Sequence, residues 1–218
     1  MGGLLIIGAG GHGKVVADTA IETGNWDKIA FLDDYFASQS IINIPVVGRL
    51  NEAQGFIDSY PDLIVAIGKN NIRVNMLKHF EGLGFNITSI IHPSAFISKQ
   101  AEIARGGVVF ANCSINSQAK LGYGCIINTN TSVDHECKLG IGVHLSPGVN
   151  LGGSVEIGDY AWLGVGANVI NNIRIGSNVI IGSGATVISD IESNVTAVGT
   201  PAKAIKHNPI MEENKDAK

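Results

Sequence analysis

The chain has 218 residues, of which 16% are charged, 6% are aromatic and 28 are glycines. This length allows one large domain or two small ones, and the composition favours a turn-rich β architecture over a helical bundle. The net charge of −4 offers no general attraction to nucleic acid or an anionic membrane, so we expect neither as a partner. No apolar run is long enough for membrane insertion, and Leu4 to Ile7 lacks a basic lead-in, so we expect a cytoplasmic protein without a signal peptide.

The first 90 residues alternate between strand and helix patterns. Strands are predicted at 3–8, 29–34 and 62–68, helices at 14–23, 51–60 and 70–83, and an extended segment at 87–91. Such alternation is typical of a small parallel α/β unit. The pair His92-Pro93 marks the junction of this unit with the following region.

A glycine-rich motif lies between the first predicted strand and helix. Gly8, Gly10 and Gly13 form G-x-G-x-x-G, and the acidic Asp33 follows 20 residues after Gly13. Backbone N–H groups at a helix N-terminus bind phosphate, and this context is typical of nucleotide binding. A full NAD-binding domain needs two mononucleotide halves, whereas this region supplies about one. Nucleotide or phosphate binding is therefore favoured over NAD, with a purely structural tight turn as the alternative.

A repeat of six residues dominates the chain from residue 91 to residue 191. Seventeen consecutive positions, at steps of six from Ile91 to Val187, are all Ile, Leu or Val, and a small or aliphatic residue follows each of them by four. A period of six fits neither an α-helix nor an alternating strand. It predicts a solenoid with three short strands in each coil of about 18 residues, in which every coil needs its neighbours.

The cysteines Cys113, Cys125 and Cys137 all fall on the small-residue position of the repeat. Their number is odd, and no CxxC pair occurs among them. Buried thiols are therefore favoured over a metal site or a disulfide.

Both regions together resemble a known family. Gly-Ala-Gly-Gly-His-Gly at 8–13, Phe-Leu-Asp-Asp at 31–34 and Ala-Ile-Gly at 66–68 precede a solenoid that contains His-Glu-Cys at 135–137 and ends in Gly-Thr-Pro-Ala-Lys at 199–203. This order resembles the hexapeptide-repeat sugar acyltransferases of the NeuD/PglD type. The resemblance implies a Rossmann-like α/β nucleotide-sugar domain over 1–90 and a left-handed parallel β-helix over 91–206. A mobile tail over 207–218 is expected from its polar composition.

The same resemblance implies an activity, an assembly and a substrate site. It implies a homotrimer that binds acetyl-CoA between adjacent solenoids and acetylates UDP-linked 4-amino sugars or sialic acids for surface glycans. The nucleotide-sugar site would consist of Gly10, Gly11, His12, Asp33, Asp34 and Gly68. Lys69 stands where relatives often have Asn, which leaves the identity of the sugar or nucleotide open.

Acetyl transfer requires a base that accepts the proton of the attacking amine or hydroxyl, and histidine suits this role near neutral pH. His135 lies between Asp134 and Glu136, away from the inward positions of the repeat, and on spacing alone it could be an ordinary surface histidine. The resemblance makes His135 the general base and Glu136 the residue that raises its basicity. It also assigns the backbone N–H of Gly153 to the thioester carbonyl.

The resemblance implies that the remaining site residues contact coenzyme A. The resemblance assigns His144 to acetyl-CoA and places Val165 and Ser183 along the CoA groove. His135 and His144 are nine residues apart, which is half a coil. Their side chains should therefore face different directions and could share a pocket only across a subunit interface.

The sequence disfavours a metal site and leaves several related functions open. A zinc site of the kind found in some solenoid carbonic anhydrases needs three convergent ligands, whereas the central repeats supply two histidines, so no metal is expected. The sequence leaves open the transfer of a different acyl group, O-acetylation of sialic acid, and a catalytically inactive nucleotide-sugar-binding protein.

Overall fold

The computed structural model describes residues 2–35 and 40–209. A parallel sheet with helices on both faces is followed by a three-sided solenoid that begins at Ile90. The tail predicted as mobile over 207–218 is ordered at its start, where His207 ends a strand and Asn208 hydrogen-bonds Asn194 and Asn178. From position 210 onward it lies outside the described residues. None of the helices in the described ranges has the length and apolar character needed to cross a membrane.

The N-terminal sheet contains six of the described strands, in the order β3-β4-β2-β1-β5-β6. These strands are β1 Gly3–Ile7, β2 Lys28–Leu32, β3 Ser40–Ile41, β4 Ile44–Gly48, β5 Asp62–Val65 and β6 Asn86–Ile87. All neighbours pair in parallel except β3 and β4, which form a hairpin.

Helices cover both faces of this sheet. Helix α1, Gly11–Thr23, packs against Leu4 and Ile6 of β1 on one face. Helix α2, Asn70–Gly82, and a 3₁₀ helix, Leu50–Phe56, pack on the opposite face. Strand β1 lies between β2 and β5. The chain passes over one face of the sheet to enter β2 and over the opposite face to enter β5, so the direction of winding reverses at β1. Ligands bind at such a reversal in sheets of this kind.

The structure differs from the prediction in three elements. The hairpin β3–β4 was not predicted, because Pro45 and Gly48 disfavour a strand, yet pairing with β2 and burial of Ile44 and Val46 stabilise one there. The segment predicted as a helix over 51–60 forms the 3₁₀ helix instead. Helix α1 begins three residues before the prediction, so the end of the glycine motif forms its first turn.

The solenoid repeats a two-residue strand every six residues. Its strands are β7 Ile90–Ile91, β8 Phe96–Ile97, β9 Glu102–Ile103, β10 Val108–Val109, β11 Ser114–Ile115, β12 Lys120–Leu121, β13 Ile126–Ile127, β14 Ser132–Val133, β15 Lys138–Leu139, β16 His144–Leu145, β17 Asn150–Leu151, β18 Glu156–Ile157, β19 Trp162–Leu163, β20 Asn168–Val169, β21 Arg174–Ile175, β22 Ile180–Ile181 and β23 Thr186–Val187. Strand β24, Val195–Val198, extends the sheet of β22, and β25, Lys203–His207, pairs with it antiparallel.

Strands three apart pair in parallel, so each residue faces the one 18 positions later, as Val108 faces both Ile90 and Ile126. This register confirms the predicted coil length. It creates three faces, which we number by their first strands: the first face begins with β7, the second with β8 and the third with β9.

The repeat-defining aliphatic residues point inward and form one continuous core. Cys113, Cys125 and Cys137 are buried within it and carry free thiols, as predicted. Burial raises the pKa of the Cys125 thiol to about 11, so this group is held in its unreactive protonated form.

The glycines after the aliphatic positions let neighbouring coils approach closely. A Cβ atom on Gly122 would lie 2.5 Å from the carbonyl oxygen of Gly140 in the next coil. The left-handed backbone occurs two residues further on, as at Gly124 with a φ of 68° and at Glu136 with a φ of 61°. Corner glycines and left-handed residues therefore serve different purposes in each turn.

The N-terminal sheet unit rests on the first face of the solenoid. Ile90, Val108 and Ile126, which point outward from this face, are buried in one cluster with Val16 and Ala17 of α1. The next outward residue along the same face is His144. The edge of the N-terminal unit therefore lies beside His144.

Candidate active site

The glycine motif builds an open loop at the start of α1. Gly8 has a φ of 99°, and a Cβ atom on Gly13 would lie 2.0 Å from the carbonyl oxygen of Gly8, so the fold itself requires these two glycines. A Cβ atom on Gly10 or Gly11 would meet nothing within 4 Å. Helix α1 has neither a side-chain cap nor an acidic residue in its first turn. Its N–H groups are therefore available to an anion.

Asp33 and Asp34, which follow β2, bind backbone groups of different segments. The Asp33 carboxylate is buried and accepts hydrogen bonds from the backbone N–H groups of Ala9 and Tyr35, both at 2.8 Å. Asp34 Oδ1 accepts the backbone N–H of Leu50 at 3.1 Å. Only Asp33 thus contacts the glycine loop, whereas Asp34 binds the start of the 3₁₀ helix.

A second helix N-terminus lies at the same edge of the sheet. Gly68 follows β5 and precedes α2, which has Lys69 as its N-cap, no side-chain cap and no acidic residue in its first turn. A Cβ atom on Gly68 would also meet nothing within 4 Å. Gly10, Gly11 and Gly68 therefore border open space at the carboxyl ends of β1 and β5. We call these three residues the glycine cradle.

Two half-buried histidines lie beside the cradle. The His12 ring packs edge-on against Phe110 at 5.6 Å, and the His144 ring stacks on Trp162 at 5.8 Å. Burial, followed by the charge of Arg73, lowers the pKa of His12 to about 4 and that of His144 to about 3. Both rings are therefore neutral near pH 7. Their Nε2 atoms are buried without a hydrogen-bond partner among the described residues.

The structure brings His144 to the predicted nucleotide-sugar residues of its own chain. Besides burial and Arg73, the neighbouring His12 lowers the pKa of His144, and a hydrogen bond with the Gly68 backbone raises it. The assignment of His144 to acetyl-CoA stays a prediction.

Two residues near this site were not singled out in the sequence. Trp162, whose indole N–H donates to Ser146 Oγ at 2.8 Å, remains 45% exposed beside His144. Arg73 is only 1% exposed. A signal for Arg73 exists in the sequence, because its spacing to Leu77 and Phe80 places it on the apolar side of α2.

His135 lies at a corner of the solenoid, two residues after the end of β14. Its Nδ1 atom is 3.0 Å from Glu136 Oε2, and its backbone N–H donates to Asp134 Oδ1 at 2.8 Å. The side chain is 56% exposed. With Nδ1–H donated to Glu136, Nε2 becomes the ring atom that can accept a proton. Glu136 reaches this position from a left-handed backbone, a conformation that costs free energy in a residue other than glycine.

Gly153 lies directly beneath His135 in the next coil. A Cβ atom on Gly153 would be 2.4 Å from His135 Nε2. The imidazole therefore packs against a bare backbone segment, and the role of the Gly153 N–H at the thioester carbonyl stays a prediction. Ser154 Oγ also lies 3.4 Å from Glu136 Oε2, which gives the carboxylate a second partner.

The remaining predicted residues occupy another corner. Val165 follows β19 and Ser183 follows β22, so both lie one coil apart on the edge between the first and second faces. His135 and Gly153 lie on the edge between the second and third faces. Within one chain, the second face therefore separates the histidine corner from the residues assigned to the CoA groove.

Among the residues that the structure describes, no group of three or more His, Cys, Asp or Glu side chains could hold a metal ion.

Two family models match the chain. The PglD N-terminal domain matches residues 3–80, and the bacterial transferase hexapeptide (six repeats) matches residues 154–189. A curated relative, UDP-N-acetylbacillosamine N-acetyltransferase from Bacillus subtilis (strain 168), is 36% identical over 114 residues, or 51% of this chain. The match spans about half of that relative, 52% of its length.

Solved structures match over nearly the whole chain. The acetyltransferase domain of PglB from Neisseria gonorrhoeae FA1090 is 38% identical with a TM-score of 0.90, over 93% of this chain and 99% of that one. PerB from Caulobacter crescentus, solved in complex with CoA and GDP-perosamine, is 38% identical with a TM-score of 0.89, over 94% of this chain and 98% of that one. With these relatives and both halves of its architecture in common, the chain belongs to the hexapeptide-repeat sugar acyltransferases of the NeuD/PglD type.

Proposed function

We propose that the protein is an acetyl-CoA-dependent acetyltransferase that acts on a nucleotide-linked amino sugar. The observation that carries this proposal is the His135–Glu136 pair at 3.0 Å, with the imidazole resting on the bare backbone of Gly153. The relatives named above include a UDP-sugar N-acetyltransferase and a protein bound to CoA and GDP-perosamine. They support a nucleoside-diphosphate sugar as the acceptor and acetyl-CoA as the donor.

The proposed division of labour follows the two units of the fold. A Rossmann-like domain over 1–90 binds the nucleotide sugar, and a left-handed β-helix over 91–206 transfers the acetyl group. In the first domain the glycine cradle and the helix N-termini face the phosphates. Asp33 holds the glycine loop, Asp34 holds the start of the 3₁₀ helix, and His12 lines the site. In the second, His144, Val165 and Ser183 contact coenzyme A.

The chemistry requires one base and one oxyanion site. Glu136 accepts Nδ1–H of His135, which leaves Nε2 to take a proton from the sugar amine as its nitrogen attacks the thioester carbonyl. The new C–N bond places negative charge on the carbonyl oxygen, which the N–H of Gly153 stabilises. Collapse of this intermediate breaks the C–S bond, and the proton held by His135 passes to the leaving thiolate.

Thiol release from acetyl-CoA tests the proposal directly. The purified chain is incubated with acetyl-CoA and a panel of UDP- and GDP-linked 4-amino sugars, and products are identified by mass spectrometry. Thiol release that depends on one of these sugars, with an N-acetylated product, is expected. Acetylation of sialic acid instead would establish the O-acetyltransferase alternative. Binding of a nucleotide sugar without thiol release would identify an inactive binding protein.

The separation of the two corners predicts the assembly. Since one chain cannot bring Val165 and Ser183 to its own His135, the active protein should be a homotrimer in which neighbouring solenoids supply the two edges. Light scattering coupled to size exclusion should give three times the chain mass for the active fraction. A monomeric fraction with full activity would contradict this arrangement.

The open space above Gly11 predicts a selective effect of substitution. Gly11→Leu should fold normally, because its Cβ meets no atom within 4 Å. The side chain should obstruct an anion at the start of α1, and loss of a charge-assisted hydrogen bond worth about 1.5–3 kcal/mol would raise the nucleotide-sugar KM roughly 10- to 100-fold. The acetyl-CoA KM should stay within about twofold.

Gly82→Leu is the matched control, since Gly82 ends α2 away from the cradle and its Cβ also meets nothing. The control should leave both KM values unchanged. Equal losses of both affinities in Gly11→Leu would show that the cradle is not a separate nucleotide-sugar site.

A further inference from the structure

The buried cation Arg73 has no role in the mechanism above. It is the only Lys or Arg side chain classed as buried in the described part of the chain, at 1% exposure. No carboxylate of the described residues forms an ion pair with its guanidinium. Burial of a guanidinium is costly unless its donors are satisfied, and here burial lowers the pKa of Arg73 to about 10. Burial of this charge lowers the stability of the fold, which suggests that Arg73 serves a function.

The donors of Arg73 are satisfied by oxygens from both units of the fold. On the N-terminal side, Nη1 donates to the carbonyls of Ile67 and Gly68 at 3.0 and 3.2 Å, and Nη2 donates to Asn70 Oδ1 at 3.0 Å. On the solenoid side, Nε donates to the carbonyl of Gly124 at 2.8 Å and Nη2 to that of Gly142 at 2.9 Å.

Asn70 continues the same connection along the solenoid. Its Nδ2 atom donates to the carbonyls of Tyr160 and Ala161 at 3.0 and 3.2 Å. Gly124, Gly142 and Tyr160 are spaced by 18 residues and share a left-handed backbone, so they are the same corner of three consecutive coils. Arg73 and Asn70 thus attach the loop between β5 and α2 to three coils at once.

This loop contains Gly68, the part of the glycine cradle that faces His144. All five N–H donors of Arg73 are already engaged, so the guanidinium has no hydrogen bond left for a ligand. Its hydrogen bonds instead fix the distance between the cradle and the first face of the solenoid. If the phosphates of the sugar are anchored at the cradle, a fixed distance keeps the sugar amine at a fixed position relative to the solenoid.

We propose that Arg73 is a positioning residue of the nucleotide-sugar site, which locks the Gly68 edge of the cradle to the solenoid and so sets the register between the bound nucleotide sugar and the acetyl-transfer site. This inference rests on the proposed function for its substrate. This role depends on the planar, five-donor shape of the guanidinium, because only that shape reaches the carbonyls of both units. A lysine ammonium would keep the charge without these contacts.

The test compares Arg73→Lys with Arg105→Met in the 218-residue chain. Arg105 also joins α2 to the solenoid, through an exposed ion pair with Glu81, but it contacts no residue of the cradle. For Arg73→Lys we expect affinities for UDP and GDP, measured by calorimetry, to fall at least about tenfold and amide exchange to accelerate at 67–70. The affinity for CoA should change less than about twofold. Arg105→Met should match the wild type in all three measurements.

Asn70→Ala provides a second variant should Arg73→Lys fail to fold. It removes the Tyr160 and Ala161 contacts and one acceptor of the Arg73 guanidinium, which keeps its four carbonyl partners. It should also weaken nucleotide binding selectively and accelerate exchange at 67–70. Wild-type nucleotide affinity in a folded Arg73→Lys protein would overturn the proposal, as would parallel losses for nucleotide and CoA. If the wild type binds neither UDP nor GDP, the proposed function fails, and unchanged exchange at 67–70 in the variants would then separately refute the locking role.

Discussion

Replacing His135 with alanine is expected to lower kcat by a factor of about 10² to 10⁴, the usual contribution of a general base. This corresponds to roughly 3–5 kcal/mol of activation free energy. The fold should be unaffected, because the side chain is 56% exposed and the neighbouring inward residues Val133 and Cys137 keep the coil packed. Turnover is measured by thiol release at saturating substrates, and Tm should change little, as for most surface substitutions.

Variants of Glu136 measure how much of kcat depends on the orientation of the His135 imidazole, as distinct from its presence. Glu136→Ala should cost less than His135→Ala, because it removes the partner of Nδ1 and leaves the proton acceptor in place. Glu136→Asn is the matched variant, since asparagine tolerates the left-handed backbone found here. It should fold at least as well as Glu136→Ala while retaining the defect in kcat.

His92→Ala controls for the loss of an imidazole from the solenoid surface, since His92 lies in the first coil and its ring forms hydrogen bonds with the backbone N–H and the hydroxyl of Ser94. It should leave kcat unchanged. A folded, trimeric His135→Ala protein with near wild-type turnover would exclude His135 as the base.

The solenoid could be predicted from sequence because its determinants are local and repeated. Each coil needs an inward aliphatic residue every six positions and a small residue at each corner, so Ile115 or Leu145 can be recognised without knowledge of any distant contact. The position of His135 outside these inward slots was predictable for the same reason. Its contact with Gly153 follows from the 18-residue register, since stacked coils bring residues one coil apart together.

The six-residue repeat could not predict the contacts between the N-terminal sheet unit and the solenoid. Whether His144 faces solvent or the N-terminal unit depends on how that unit docks on the first face, which no local pattern encodes. The same docking explains why Arg73 can be buried, since its partners at Gly124 and Gly142 lie more than 50 residues away. The hairpin β3–β4 was missed because pairing with β2, rather than local propensity, stabilises it.

Because His135 packs on Gly153, we expect a substitution at Gly153 to lower kcat substantially. In Gly153→Ala the new methyl group would lie 2.4 Å from Nε2 and 2.5 Å from Cε1 of His135, far inside van der Waals contact. Gly153 does not have the left-handed φ that would make alanine costly by itself. The exposed imidazole can rotate away, so the fold should survive while the base leaves its position. We expect kcat to fall at least about tenfold, with the loss in His135→Ala, about 10² to 10⁴, as the upper limit.

A double-mutant cycle assigns this loss to the displaced base. If Gly153→Ala acts by moving the imidazole, it should cost almost nothing in a His135→Ala background, because no ring remains for the methyl group to displace. An equal loss in both backgrounds would instead mean that alanine disturbs the N–H that stabilises the oxyanion, and that the position of the imidazole over Gly153 is unimportant. Gly182→Ala controls for crowding elsewhere in the solenoid, since its Cβ would approach the Val198 side chain at 2.8 Å without contact with His135. It should lower Tm modestly and leave kcat intact, whereas wild-type kcat in Gly153→Ala would show that the ring position seen here is not the catalytic one.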